Sequence, residues 1–357
     1  MNVTSDPVAD DLLQRLSRSP DAYPQKLDLV ARKVLLVQFD ESAYRLASFL
    51  DDRILSPTTR GAWIPLGQAV EAARVVTSAR PLHFIFHTGH VGSTLVSRLL
   101  DATGQVLSLR EPLPLRTLAD AHDVLSQPDA LLSAEEFGVA LAMFKRLWSR
   151  GYVATRSVVV KATSSAGRLA APILAGAEAS RAVYMNLRAE PYLATLLAGQ
   201  NSPIDLRGHG PGRIRRLQSR IAAPLAPLHS MSIGELAAMS WLIESWSQHD
   251  ASERFPERVL ALDFDQFLAS VTDSVRRILG HFELTVDESY LATVKRSAVL
   301  TRYSKAPEYA YTPGMRAEVL RDSRRYNNDE IRRGMNWLER QAHADSAVAK
   351  IVHGANL

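Results

Sequence analysis

Short apolar runs alternate with amphipathic stretches over most of this chain. Five runs have the length and apolar density of strands buried on both faces: Leu82 to Phe86, Val106 to Leu109, Ser157 to Lys161, Ala182 to Leu187, and Arg258 to Asp265. Between them, apolar residues recur at helical spacing. Leu95, Val96, Leu99 and Leu100 follow the first run, and Gly104 supplies a stop. Ser133-Ala134-Glu135-Glu136 opens a helix through Trp148 with Phe137, Leu141, Phe144 and Leu147 on one stripe. Ile233 to Ser247, Phe267 to Phe282 and Asp329 to His343 read the same way. Strand and helix in alternation predict a mainly parallel sheet with helices on both faces, a three-layer α/β/α fold.

The organisation implied is an N-terminal accessory segment over 1–78, an α/β domain over 79–345 and a tail over 346–357. In the first part, Val34 to Phe39 fits a strand or part of a helix, and Ser42 to Leu50 and Gly67 to Val75 read as helical. Trp63 reads as a core or subdomain anchor rather than a ligand contact. From Arg207 to Arg220 arginines are interspersed with Gly208, Gly210, Pro211 and Gly212, which predicts a flexible basic loop entering a helix.

Composition narrows the class. With 357 residues and 46% hydrophobic positions, the chain can bury a sizeable core. Its 42 basic and 38 acidic residues leave a net charge of +4, too balanced to point to nucleic acid. There is no cysteine, which excludes disulfides and zinc-thiolate sites. No run has the ~20 apolar residues of a membrane span. The polar N-terminus lacks a signal core, so the expected location is the cytoplasm.

The chemistry concentrates where the first run ends. Two glycines and two hydroxyl residues stand between the strand and its helix, in His87-Thr88-Gly89-His90-Val91-Gly92-Ser93-Thr94-Leu95. Strand, glycine turn and helix place backbone N–H groups around an anion at a positive helix end. The loop is neither G-x-x-x-x-G-K-[ST] nor G-x-G-x-x-G. It resembles the 5′-phosphosulfate loop of the sulfotransferase family: glycine, one or two residues, Arg or Lys, a small residue, glycine, Ser or Thr, then Thr.

The resemblance extends roughly over residues 82 to 270, in the order and spacing of several motifs. It implies a P-loop nucleotide-hydrolase-like fold, 3′-phosphoadenosine 5′-phosphosulfate (PAPS) as donor, a hydroxyl or amine acceptor and no metal. Thr88, Gly89, His90, Val91, Gly92, Ser93 and Thr94 would cradle the phosphosulfate. Glu111, in Glu111-Pro112, would be the general base. Lys161 would neutralise the sulfate or the bridging phosphate. The position two residues beyond it, a histidine base in cytosolic members, is Thr163 here, which directs the basic role to Glu111. Arg188 and Thr195 would select the 3′-phosphate, and Arg302 and Lys305 would form the late basic loop that closes the nucleotide site. One departure stands out. His90 occupies the place of the usual Arg or Lys, where it could donate one hydrogen bond as a neutral ring or carry charge at mildly acid pH.

Three other functions fit parts of the sequence. One is an ATP-dependent phosphotransferase with a degenerate P-loop. Another is a hydrolase using Ser165 in Thr163-Ser164-Ser165-Ala166-Gly167, which lacks the first glycine of an elbow motif. The third is a nucleotide-binding regulator without catalysis. His83, His87 and His90 form a triple that invites a metal reading, but they lack a nearby carboxylate.

Overall fold

The computed structural model describes residues 6–176, 179–285 and 288–354. Its N-terminal part is a three-stranded antiparallel sheet, β1 (Ala22–Asp28), β2 (Lys33–Gln38) and β3 (Gly61–Pro65), in that spatial order. Helices Pro7–Leu16, Glu41–Leu46 and Leu66–Arg74 flank it. The ambiguous run at 34–39 is thus a strand, and the helix expected over 42–50 stops at Leu46. Trp63 is not a core anchor. Along β3, Ala62 and Ile64 point inward, so the pleat turns Trp63 outward, where it is 43% exposed.

The five predicted runs form one parallel sheet: β4 (Leu82–His87), β5 (Val106–Arg110), β6 (Ser157–Lys161), β7 (Ala182–Asn186) and β8 (Val259–Asp263). Their spatial order is β5-β6-β4-β7-β8, so the first strand of the core lies in the middle. Alternate residues feed two separate cores. Phe84, Phe86, Leu107, Leu109, Val158, Val160 and Tyr184 pack on one face. Ile85, Val106, Val159, Val183 and Met185 pack on the other. This is the three-layer α/β/α arrangement that the alternation implies.

The first of these cores also contains Leu12, Leu16, Tyr23, Val34, Leu36 and Tyr44, so the N-terminal elements complete it rather than sit beside it. Buried Arg150 reinforces the join by donating to the carbonyls of Leu16 and Ala22 at 2.6 and 2.9 Å. The second core is closed by helices that include Ser93–Asp101, Ala189–Leu197 and Asn328–Ala344, and by a helix in the expected tail, Ser346–His353, which buries Val348 and Ile351.

Two further expectations change. The basic stretch is a continuous helix, Ser202–Gln218, with Pro211 inside it. It buries Leu206, Gly210, Arg213 and Leu217 on one face, so tertiary packing overrides its weak helix propensity. The helix expected from Phe267 to Phe282 is two, Phe264–Ala269 and Val271–His281, broken at Ser270. No described helix is long and apolar enough to cross a membrane.

Candidate functional site

Parallel strands leave their carboxyl ends on one edge, and the site lies there. In register, His87 is level with Met185, Ile85 with Lys161, and Arg110 with Lys161. The loop after β4, Glu111 after β5, Lys161 at the end of β6 and Arg188 after β7 therefore share one edge. The connections diverge to either side of β4, at the kind of switch point where open α/β sheets bind ligands.

The loop has the backbone of an anion nest. Gly89, His90 and Gly92 all have positive φ, at 109°, 55° and 72°. At Gly92 a side chain would run into the Phe264 ring, so the tight approach as well as the dihedral requires glycine. Helix Ser93–Asp101 begins directly after it. Among the described residues, no N–H from Gly89 through Leu95 has a hydrogen-bond acceptor in the backbone or a side chain. Thr94 Oγ1 is buried and also without a partner. A row of unpaired donors at a helix N-terminus is costly unless an anion or water takes it up.

Surrounding groups hold this backbone in place. Thr88 is fully spent on structure: its hydroxyl donates to Asn186 Oδ1 at 2.9 Å and its N–H to Met185 O at 3.1 Å. Tyr192 donates to Thr88 O at 3.1 Å. Asn186 in turn donates to Ser245 and Gln248 on helix Ile233–Arg254. Val91 puts its side chain into the core. Thr88 and the Val91 side chain thus shape the loop, while the N–H groups from Gly89 through Leu95 offer the donors.

Beside the loop, Lys161 is buried and its ammonium pairs with Glu111. The backbone of Glu111 is also fixed, in the left-handed region at φ 57°, with its N–H on Lys161 O at 2.7 Å. Burial lowers the Lys161 pKa, the Lys305 cation adds to this, and the Glu111 carboxylate opposes it.

His90 is exposed at the rim, yet the protein around its ring pushes its pKa down to about 4, helped by the Lys305 and Lys161 cations. The lowering disfavours the mildly acid charge state considered for it. His87 is buried, donates from Nε2–H to Ala162 O at 2.9 Å, and has its pKa lowered by burial, Lys161 and Lys305. His83 lies at the start of β4, stacked on Phe282 with ring centroids 4.6 Å apart. The three histidines do not converge: no candidate metal cluster occurs among the described residues.

The remaining predicted residues divide. Arg188 is exposed at the N-cap of helix Ala189–Leu197, and among the described residues it has no ion-pair partner. Thr195 donates its hydroxyl hydrogen to Pro191 O at 2.7 Å, so the helix already uses it. Arg302 and Lys305 belong to a hairpin, Arg302–Tyr303 with Ala306–Ala310. Arg302 turns back onto Glu308 O at 3.4 Å, whereas the Lys305 charge is felt at His87, His90 and Lys161. Ser165 sits 3.3 Å from Thr163 and has no histidine partner among the described residues, which leaves the hydrolase reading without a base.

Several contributors carried no sequence signal. Asp205, on the helix expected to be a loop, acts electrostatically on His90. Ser164 lies close to the Cα of Gly89. Arg98 and Arg110, inside ordinary amphipathic stretches, fasten the site to the N-terminal segment. Arg110 is 1% exposed and donates to Asp101 Oδ2 at 2.9 Å, Ser97 Oγ at 3.1 Å and Ala47 O at 2.8 Å. Its own carbonyl accepts from Leu50 N–H at 2.7 Å.

No family model and no curated protein matches this chain. Among solved structures, it is similar to a sulfotransferase domain from the curacin biosynthetic pathway, with 14% identity over 74% of this chain and 99% of that one and a TM-score of 0.40. It is similar to a sulfotransferase from Mycobacterium avium, with 13% identity over 91% and 97% and a TM-score of 0.40. A retinol dehydratase in complex with retinol and PAP is also similar, with 11% identity over 92% and 95% and a TM-score of 0.30.

Proposed function

We propose that this chain is a sulfotransferase that moves a sulfuryl group from PAPS to a hydroxyl or amine acceptor. The observation that carries the reading is the run of unpaired N–H groups from Gly89 through Leu95 at the end of the central strand. Such a cradle suits a phosphate or sulfate, and the loop sequence resembles the phosphosulfate loop. The residues fit the donor in two further ways. The unpartnered Thr94 hydroxyl supplies a side-chain group inside the cradle. Arg188, exposed and, among the described residues, without an ion-pair partner after the neighbouring strand, suits a ribose phosphate.

In this scheme the acceptor oxygen or nitrogen bonds to sulfur as Glu111 takes its proton. The bond from sulfur to the bridging oxygen breaks, its electron pair stays on the 5′-phosphate, and PAP leaves. The Lys161 ammonium fixes the Glu111 carboxylate before transfer and stabilises the local negative charge. The N–H cradle holds the leaving phosphate without reorganising, which is where preorganised donors lower a barrier most.

Radiolabelled PAPS with a panel of sugars, phenols, lipids and amines tests the reading. Transfer to at least one class, abolished by removal of the Glu111 carboxylate, is the expected result. Phosphate transfer from ATP instead of sulfuryl transfer would replace it with the kinase reading. PAP binding without turnover on any acceptor would favour the regulator.

A further inference from the structure

The loop contains no cation of its own. From Thr88 to Ser97 there is no Lys or Arg, and His90, at the position where the resembling family has one, is neutral. Lys161 is close but committed to Glu111. The missing charge therefore has to come from elsewhere in the fold, and the hairpin at 302–310 is placed to give it. Ser304 and Lys305 form its turn, between Tyr303 and Ala306. Arg98, on the helix whose N-terminus is the anion cradle, donates from Nε to Ser304 O at 2.7 Å. Its Nη2 donates to Ser48 Oγ of the N-terminal segment at 2.8 Å. One guanidinium thus ties the hairpin, the loop helix and the N-terminal segment together.

Resting on the sulfotransferase reading, we propose that Lys305 is the cation of the phosphosulfate loop, supplied from the distant hairpin and positioned by Arg98, in place of the Lys or Arg whose position His90 occupies. Lys305 is half-buried and has no carboxylate partner among the described residues. Its charge reaches His90, His87 and Lys161. Two lysines are thereby held near one another; Glu111 is tied to Lys161, and Asp205, the other carboxylate felt at His90, forms no ion pair with Lys305 among the described residues. The second is left to balance a ligand anion. This differs from the closing role that the resemblance gives to the late basic loop. It puts Lys305 at the sulfate end of the donor, beside the bond that breaks. Arg98 does not touch the donor in this scheme; it is a positioning residue.

Relocating the charge tests the proposal. Titration calorimetry with PAP and single-turnover transfer from PAPS are compared for wild type, Lys305→Ala, the pair His90→Lys with Lys305→Ala, Arg98→Ala and Arg98→Lys. Lys305→Ala, in a surface turn, is expected to leave unliganded thermal stability unchanged. It should weaken PAP by about tenfold or more, the size of one charge-assisted contact, and slow transfer further. The double variant should recover most of both losses. Arg98→Ala should reproduce the Lys305→Ala loss in part, and Arg98→Lys should restore it. Unchanged PAP affinity and transfer rate in Lys305→Ala, with wild type binding PAP normally, would overturn the inference while leaving the sulfotransferase reading intact. If wild type fails to bind PAP, that reading falls. Inorganic sulfate then tests the cation alone, and equal sulfate affinity in wild type and Lys305→Ala would overturn it.

Discussion

The loop from Gly89 to Thr94 and the hairpin from Arg302 to Ala310, the two halves of the proposed site, are built by opposite means. The loop is local. A buried strand, glycines with positive φ and a helix N-terminus follow one another in the chain, and each element dictates the next. The hairpin is remote. More than two hundred positions separate its turn from Arg98, and it is tied there by a guanidinium that also holds the N-terminal segment, beside the packing of Val299 and Leu300 on the second core. In the proposed scheme, the backbone that would bind an anion is therefore fixed by sequence order. The groups that would supply charge and proton transfer are fixed by tertiary brackets.

The largest expected effect separates chemistry from architecture. Glu111→Gln keeps the shape of the side chain and loses the base, so transfer should fall by about 10²- to 10⁴-fold. PAP affinity should stay near wild type in calorimetry, because the N–H cradle is untouched. A parallel loss of affinity would mean that Glu111 organises the loop and is not simply a base.

The brackets come next. Arg110→Ala removes the closer of the two arginines on Asp101, leaving Arg45 at 3.3 Å, together with a clamp on the N-terminal segment, and should cost about 3–5 kcal/mol in urea denaturation. A cost below 1 kcal/mol would show that the Arg110 bracket adds little to holding the N-terminal segment. Gly92→Ala attacks the local side of the comparison. It combines a left-handed dihedral with a collision against Phe264, and about 2–4 kcal/mol is expected in the same assay. If stability instead proved unchanged, the described loop backbone would be wrong.

A pH series distinguishes the loop from the opposite end of its strand. His83, buried and stacked on Phe282, has its pKa lowered to about 4, chiefly by burial and then by the His281 and Arg181 cations. Its unfolded value is near 6.5. Between those two values the unfolded chain binds more protons, so stability is full above about pH 6.5 and declines as pH falls toward 4. His83→Phe should flatten that decline in thermal denaturation without changing PAP affinity. Persistence of the full slope would assign it to other groups. Ser133→Ala has the smallest expected effect. It removes the hydroxyl that accepts from Glu136 N–H at 3.1 Å in a capping box and should cost about 1 kcal/mol.

Much of the frame was legible in the sequence because its signals are short-range. All five core strands, the capping box at Ser133 and the glycine loop depend on residues within a few positions of one another. The failures have a common cause. Gly208, Gly210, Pro211 and Gly212 argue locally for a loop, yet Leu206 and Leu217 pack that stretch as a helix. Trp63 reads as an anchor by size, but the pleat set by Ala62 and Ile64 turns it outward. In the site, Gly89 and Gly92 announced themselves by type. The hydroxyl of Thr195 did not reveal its commitment to Pro191 O, nor could Lys161 reveal its pairing with Glu111. Arg98 and Arg110 gave no signal because their partners are carbonyls and side chains brought close only by the fold.

The central claim is that the backbone from Gly89 to Leu95 grips the 5′ end of an adenosine 3′,5′-bisphosphate unit. Calorimetric titration of the full chain with PAP and, separately, with ATP and Mg²⁺ tests it most directly. Tight, salt-sensitive binding of PAP with far weaker binding of ATP is the result this account predicts. Preference for ATP with Mg²⁺, or no response to PAP, would contradict it.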